Sequence, residues 1–466
     1  MNQNENKKNI LMEKFNILLK KQIVQSESLY LKKNPHEDLV YNSALSILNF
    51  IEKKYNKKKF LFFCGPGNNG NDGRKIIEIG SKKNFFKLIN FQNFGDIENQ
   101  IKKCDIIVDA IFGFGLNRKI NKDVAHIIKK INKSEKKVIS IDIPSGVLSD
   151  TGEIFGDSIK ASITLALGYF KPCHFLHPGK SQSGDIYLLD LKYETTQDRK
   201  PKIRLLNSNF FSFESLKKKQ NIHKYNRGSI LVLGGEMSGA ARIVALSARK
   251  IGAGLSTINI EKDQLFNYIG TEPGTIVNFS EKIQINNYDL VVLGPGLGKK
   301  YSMSKILKIL RDFKKTIILD ADALSIFEKK KEHLFSILKK RTNTILTPHE
   351  GEFKRLFGEI KKDKVSAALL ASKKTNSAII FKGNDTVVAF PNEDVFINDG
   401  ANPSLATAGT GDMLCGMIGG LICQGMEIKH SILYAIFIQN KLSKNTNNTI
   451  VEDFINDIPF HCDWLK

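Results

Sequence analysis

The sequence predicts two α/β domains, each a parallel sheet with helices on both faces, joined by a polar linker. Three observations predict this. Short apolar runs alternate with stretches of helical spacing in two separate blocks. Several runs end in turns rich in glycine and Asx residues. Between the blocks, residues 195–222 are rich in Lys, Asn, Ser and Gln and break the rhythm. A chain of 466 residues is also long for one core, so more than one domain is expected. The blocks share a style but no repeated motif, which indicates a fusion and not a tandem duplication. The expected domains are 1–195 and 223–466, with 196–222 as a linker carrying one short amphipathic piece.

In the first block, residues 12–51 read as mainly helical, split at Asn34-Pro35 because proline disfavours helix in the residue before it. Strands are expected at 60–64, 105–110 and 138–143, with helices at 73–83 and 122–132. In the second block a strand at 229–233 leads to a helix at 239–251. Further strands are expected at 289–293, 316–319, 344–346, 378–381 and 386–390.

Composition excludes several classes. Hydrophobic residues make up 41% and charged residues 25%, which is globular. No apolar run is long enough to span a membrane, and the N-terminus has no apolar leader core. The six cysteines show no C-x-x-C spacing, which predicts neither a zinc site nor a disulfide framework and fits a reducing cytoplasm. The net charge of +22 comes mainly from lysine runs such as Lys57-Lys58-Lys59 and Lys329-Lys330-Lys331. We read it as a solvated surface, because base readout favours Arg and stacked aromatics. No nucleic-acid or membrane partner is expected.

Two motifs carry chemistry. GPGNNGNDG at 65–73 follows a strand and precedes a helix, so its backbone amides can approach a phosphate closely. A plain Gly/Asn turn does not need four glycines and four Asx residues in nine positions. Asp109, followed by IFGFGLNR, and Asp142, followed by IPSG, end two more strands. In a parallel sheet all three strand ends meet at one edge, where ligands bind; a lone strand-end Asp is often only a helix cap. In the second block, NPSLATAGTGD at 402–412 runs into the apolar helix MLCGMIGGLICQG. Gly409-Thr410-Gly411 opens that helix with free amides suited to a transferring phosphoryl group, and Asp412 stands where it can accept a proton. The plainer reading is a capped core helix whose Gly416, Gly419 and Gly420 only allow close packing.

GPGNNGNDG, DAIFGFGLNR and SIDIPSGVLSDTG together resemble the NAD(P)H-hydrate epimerase family over residues 61–191. The resemblance implies a Rossmann-like three-layer domain that interconverts the R and S forms of hydrated NADH or NADPH (NAD(P)HX). By motif position, Asn68, Asn69, Gly70, Asn71, Asp72, Gly113, Phe114, Gly115, Leu116, Asn117, Arg118, Lys119 and Asp142 would contact the hydrate. Asn69, Asp109 and Ser145 would hold a potassium ion; an all-oxygen set suits that ion better than zinc. Asp109 is the candidate for proton handling. Asn71 stands where the family usually has glycine, and residues 39–44 match it poorly.

HKYNRG, GGEMSGAA, GPGLG, DADAL, TPHEGE, KG and NPSLATAGTGD, in that order over 223–424, resemble the ribokinase-like NAD(P)H-hydrate dehydratase family. The resemblance implies phosphorylation of the hydrate hydroxyl and loss of phosphate to restore NAD(P)H. It also implies ADP as donor (with ATP the alternative), AMP as product, and magnesium. Ala240, Gly296, His349 and Asp412 would bind the hydrate. Lys382, Gly383, Asn384, Asp385, Thr386 and Gly411 would bind the nucleotide, with Asp412 as the base. Ala401, Ser404 and Ala408 stand where glycine or another small residue is usual. The expectation is a bifunctional cytoplasmic enzyme, homo-oligomeric as relatives often are. Three rivals stay open: a small-molecule kinase, an RNA-associated scaffold, and an active dehydratase with a structural epimerase domain.

Overall fold

The computed structural model describes residues 16–90, 96–193, 201–207, 227–280, 283–298, 301–360, 363–400, 402–445 and 449–462. The chain forms two compact units, Glu13–Arg204 and Leu205–Lys466.

In the first unit the short strand β1 (Asn16–Ile17) precedes helices α1 (Lys20–Lys33) and α2 (Leu39–Lys54). Then β2 (Lys59–Cys64), α3 (Asn68–Ile79), β3 (Phe85–Asn90), α4 (Ile97–Lys103), β4 (Ile106–Ala110), α5 (Lys122–Lys133) and β5 (Lys137–Ile141) alternate. Strand β6 (Ile163–Leu167), the short helix α6 (Gly179–Ser183), β7 (Asp185–Leu189) and β8 (Lys202–Leu205) complete it. Six strands form one sheet in the order β3-β2-β4-β5-β6-β7, every pair parallel. The run KFLFFC is apolar throughout because both of its faces are covered. Phe60 and Phe62 pack with Ala44, Ile47 and Ile51 of α2 and Ile76 of α3. Leu61 and Phe63 pack with Ile101 of α4 and Ile127, Ile128 and Ile131 of α5. These two cores are the α/β/α layering.

The second unit runs β9 (Ser229–Leu233), α7 (Ser238–Lys250), β10 (Leu255–Asn259), β11 (Ile276–Asn278), β12 (Leu290–Leu293), α8 (Met303–Asp312) and β13 (Thr316–Leu319). It continues through α9 (Asp322–Ser325), α10 (Lys331–Leu338), β14 (Thr344–Leu346), α11 (Glu350–Phe357), α12 (Lys364–Thr375), β15 (Ala378–Phe381), β16 (Val387–Ala389) and β17 (Asp394–Ile397). Helices α13 (Thr410–Cys423), α14 (Ile428–Leu442) and α15 (Val451–Asp457) end it. Its strands follow the order β17-β16-β15-β14-β13-β12-β9-β10-β11. Pairing is parallel from β11 to β15, and β16 and β17 are antiparallel. That antiparallel edge is a departure from the all-parallel expectation: β15 turns into β16 through a tight loop, with no crossover helix to restore direction. Ile230, Val232, Val292 and Ile380 pack with α7, α13 and α14. The alternate residues Leu231, Val291 and Ile317 are equally buried, so the opposite face is covered too.

Two boundaries differ instructively from expectation. Helix α3 starts at Asn68, not at residue 73, with Gly67 as its N-cap. The second half of GPGNNGNDG is therefore the first helical turn, not loop. Lys202–Leu205, read as linker, is strand β8, paired antiparallel with β1 through Asn16↔Arg204 and Ile17↔Ile203. Its alternation is only four residues long, and Ile203 is its one fully buried side chain. Residues 208–222 of the expected linker, and His223 to Asn226 of HKYNRG, lie outside the described residues. No helix among the described residues is long and apolar enough to cross a membrane.

Helix α13 lies against α7 through its glycines. A Cβ at Gly416 would meet the Val244 carbonyl oxygen at 2.3 Å, and one at Gly420 the Ala248 carbonyl oxygen at 2.5 Å. Gly416→Ala separates two effects of opposite sign. Propensity alone would stabilise α13 by about 1 kcal/mol; overpacking against backbone costs about 1–3 kcal/mol. A lowered melting temperature is expected, and a raised one contradicts the close approach.

Candidate functional sites

The first unit holds a cavity of about 730 Å³ at the carboxyl ends of its strands. Asn68, Asn69 and Asp72 of α3 line it, as do Gly113 to Arg118 after β4 and Asp142 after β5. Glu27 of α1, Asp38 before α2 and Leu39, Val40 and Ser43 of α2 close the other side. The first amides of α3 have no carbonyl partner within the helix, so this wall presents donors and a positive dipole end, worth about 0.3–1 kcal/mol to an anion.

Asp109 is fully buried and forms no part of that wall. It accepts from Ser140 Oγ (2.8 Å), Ser145 N (2.9 Å), Ser145 Oγ (2.5 Å) and Ile111 N (3.3 Å). Burial pushes its carboxyl up, against the pull of the Ser145, Ser140 and Ile111 bonds. Proton handling was the role expected of Asp109; its carboxylate lies behind the cavity wall, held by Ser140, Ser145 and Ile111. Beside it, Asn69 donates Nδ2 to Phe112 O (2.9 Å) and Ile141 O (3.2 Å), which leaves Asn69 Oδ1 buried with no partner among the described residues.

The carboxylates that do line the cavity are Asp72, Asp142, Glu27, Glu37 and Asp38. Burial first, then Asp142, Glu27 and Asp38, pushes Asp72 up to about 8. Its side chain has no hydrogen-bond partner among the described residues. Asp142 has the opposite surroundings. It pairs with the buried ammonium of Lys171 and accepts from Leu167 N at 3.2 Å. Its φ of +66° lies in the left-handed region, where a non-glycine residue costs about 1–2 kcal/mol.

The second unit gathers its site around the start of α13. Gly409, at φ +88°, is the N-cap, and Thr410 Oγ donates to Leu405 O (3.0 Å) and Thr407 O (3.1 Å). Lys382 Nζ lies 2.7 Å from Asp320 Oδ1 and 3.2 Å from where a Cβ of Gly411 would stand. The ammonium is thus held at the mouth of the glycine loop. Burial opposes the charge on both partners. The Lys382 ammonium nonetheless holds Asp320 below the usual carboxylate range, and Asp320 holds Lys382 up. Asp412 is half-buried, with no hydrogen-bond or ion-pair partner of its side chain among the described residues. Burial, then Asp320, pushes it up to about 7. His349 caps α11 by accepting at Nδ1 from Gly351 N (2.9 Å), and Glu352 Oε2 accepts from His349 N (2.9 Å). Ala240 and Gly296 adjoin: a Cβ on Gly296 would meet Met237 O at 2.2 Å and Ala240 Cβ at 3.2 Å. A second cavity of about 190 Å³ is lined by Lys382, Gly383, Asn384, Thr386 and Gly411, with Asn398, Asn402 and Gln439 among the rest.

Four expected ligand contacts fall elsewhere. Gly70 is buried against Gly65, whose carbonyl oxygen a Gly70 Cβ would meet at 1.8 Å. Asn71 turns outward and accepts from Arg74 (2.6 Å), and Lys119 is exposed off the cavity wall. Asp385 is off the second cavity because its carboxylate pairs with Lys364 Nζ at 2.6 Å. Sequence reasoning missed Glu27, Asp38, Lys171 and Tyr193 on the first cavity and Asn398 and Gln439 on the second. Lys171 had a signal: the apolar run ITLAL at 163–167 is another strand, and GYFKP follows its end.

Lys382→Met leaves the Asp320 carboxylate buried without its counter-ion. A loss of about 3–5 kcal/mol is expected, read as a lower denaturant midpoint for the second unit; an unchanged midpoint contradicts the pairing.

Both halves of the chain are similar to known proteins. Residues 230–453 match the sequence model of NAD(P)H-hydrate dehydratase, and residues 80–173 that of the YjeF-related protein N-terminus. A bifunctional NAD(P)H-hydrate repair enzyme of Dictyoglomus turgidum is 30% identical over 91% of this chain and 93% of its own. That of Escherichia coli is 27% identical over 79% and 77%. The crystal structure of an ADP/ATP-dependent NAD(P)H-hydrate dehydratase from Bacillus subtilis, co-crystallised with ATP and Mg2+, is 26% identical, covering 53% of this chain and 94% of that one with a TM-score of 0.45. With both halves matched in one chain, and a relative of that identity aligned along nearly its whole length, the protein belongs to the family of bifunctional NAD(P)H-hydrate repair enzymes.

Proposed function

We propose that the chain restores NADH and NADPH from their hydrates: the N-terminal domain (1–195) interconverts the R and S epimers and the C-terminal domain (223–466) dehydrates the S form. The observation that supports it best is the presence in one chain of a carboxylate-lined cavity at one set of strand ends and a glycine anion loop with an adjacent unpaired aspartate in the other unit.

The cavity carboxylates divide the epimerisation between them. Asp72, protonated at neutral pH, gives its proton to the hydroxyl on the ring carbon next to nitrogen. The C–O bond breaks, the nitrogen lone pair forms a C=N bond, and water leaves. Water then adds to the opposite face and its proton passes to Asp142, the partner of Lys171, from which it returns to Asp72 for the next turnover. Asn68, Asn69, Asp72, Gly113 to Arg118 and Asp142 surround the hydrate. The neighbourhood fits a potassium ion: every ligand is oxygen, and Asn69 Oδ1 has open acceptor capacity. Asn69, Asp109 and Ser145 would hold it, and bound there it adds a fixed positive charge under the cavity.

In the second unit Asp412 accepts the proton of the hydrate hydroxyl as that oxygen attacks the terminal phosphoryl of ADP. The new O–P bond forms, the bond to AMP breaks, and the Gly409–Gly411 amides with Lys382 take up the charge. Loss of phosphate and of the neighbouring ring proton restores the double bond. Lys382, Gly383, Asn384, Thr386 and Gly411, which line the second cavity, hold the nucleotide, and Ala240, Gly296, His349 and Asp412, off that cavity's lining, hold the hydrate. Magnesium would be bound with the phosphates of the nucleotide and, bound there, would neutralise part of their charge. We place the enzyme in the cytoplasm as a homo-oligomer.

The test follows recovery of the reduced-nicotinamide absorbance from mixed R and S NADHX with ADP, magnesium and potassium. Wild type restores the signal fully. Asp412→Asn loses about 10²–10⁴-fold in rate, and Asp142→Asn stops near the S fraction. The dehydratase rate rises with pH through about 7, where Asp412 ionises. The epimerase rate falls above about 8, where Asp72 loses the proton it donates. A wild type that stops at the S fraction sinks the epimerase reading; no recovery with either nucleotide sinks the dehydratase reading.

A further inference from the structure

One buried cluster beside the first cavity contains a residue, His174, that what has been derived so far does not use. Lys171 and His174 come from a short 3-10 turn (Pro172–His174) and its N-cap, and both are buried. Both bind Asp142, from different sides. His174 Nε2 lies 2.9 Å from Asp142 O, and Lys171 N donates to His174 Nδ1 at 3.1 Å. Because Nδ1 accepts, the ring proton is on Nε2, and Nε2 donates to the Asp142 carbonyl. Burial first, then Lys171, lowers His174 to about 4, so the ring is neutral at physiological pH and this arrangement is the resting one.

Lys171 holds the side-chain end of the same residue. Its Nζ donates to Asp142 Oδ1, to Leu167 O at 3.0 Å and to Tyr169 O at 3.0 Å. An ammonium has three protons, and all three are committed. Lys171 therefore has none to give a substrate, although it borders the cavity. Asp142 Oδ1 also accepts from Leu167 N, which leaves Oδ2 with no partner among the described residues. The carboxylate is pinned by one oxygen and offers the other.

This pinning answers a conformational need. Asp142 follows β5 with φ +66°, a conformation aspartate leaves readily when nothing holds it. Two constraints act at once, one on its carbonyl and one on its carboxylate. We propose that His174 and Lys171 are positioning residues of the epimerase site, which fix the Asp142 backbone and carboxylate so that Oδ2 faces the reacting carbon. The proposal rests on the reading of Asp142 as the acceptor of the water proton.

The second unit gives the experiment an internal control, since its dehydratase activity reports the same chain in the same tube. Full-length Asp142→Asn, His174→Leu, His174→Gln and Lys171→Met are compared with wild type for conversion of R-NADHX, with S-NADHX dehydration measured alongside. Near-ultraviolet circular dichroism and thermal melting report folding of the variants. Misplacing a catalytic group by about an ångström costs roughly 100-fold in kcat. His174→Leu and Lys171→Met are therefore expected to lose about that factor while KM stays within about threefold. His174→Gln is expected to recover at least roughly tenfold over the leucine variant, because its amide Nε2 can donate to the Asp142 carbonyl. A purely structural role would lower kcat in step with the folded fraction and gain nothing from glutamine; that result overturns the proposal. So does His174→Leu with kcat within about threefold of wild type while Asp142→Asn is inactive. If Asp142→Asn itself epimerises at the wild-type rate, the reading of Asp142 fails, and the positioning role falls with it.

Discussion

Parallel strand pairing is the constraint from which both sites follow. Two parallel neighbours need a crossover between them, so every strand in the run points the same way and every carboxyl end reaches one edge. Cys64, Ala110 and Ile141 end β2, β4 and β5 on that edge in the first unit, and the residues that follow each of them build the cavity. In the second unit Gly294, Asp320, Thr347 and Lys382 follow β12, β13, β14 and β15 in the same manner. Polar residues far apart in sequence are delivered to one place by backbone geometry, and the helices between them need only be apolar on one side.

What the edge delivers is then differentiated by electrostatics. Asp72 and Asp142 share a cavity, yet one is surrounded by acids and the other by a lysine. Asp320 and Asp412 repeat the contrast, since Lys382 pairs with the first and leaves the second among carboxylates. In both units one aspartate is bound to a cation and its neighbour is pushed up by burial and like charge. Acid and base functions at one pH need such separation, and here a single buried lysine in each unit provides it.

Much of this was legible in the sequence because glycine and Asx residues cannot be hidden in a strand–helix alternation. GPGNNGNDG and the glycine loop before Asp412 stood out, and strands β9 and β12 to β15 were visible as short β-branched runs, whereas β10 and β11 were not. What escaped depended on distance in three dimensions. Asp109 reads as an open strand-end carboxylate in the sequence, and only three dimensions show it enclosed behind the cavity wall with Ser140 and Ser145 bonded to it. Asp385 looked like part of a nucleotide loop until Lys364, from another helix, claimed it. Glu27 and Asp38 sit on polar, lysine-rich helical sequence that gives no local sign of facing a cavity. Strand β8 is four residues long, and its partner lies more than a hundred residues away.

The glycine seam between α13 and α7 also sets a length. In the proposed function the amides at the start of α13 serve the phosphoryl group and Ala240, at the start of α7 beside Gly296, serves the hydrate. With Gly416 and Gly420 in backbone contact, neither helix can slide along the other without a clash. The spacing between donor and acceptor pockets is therefore built in as a rigid gauge. Substrates are measured against that gauge, and a molecule whose hydroxyl falls short of it gains nothing from tight binding at either end.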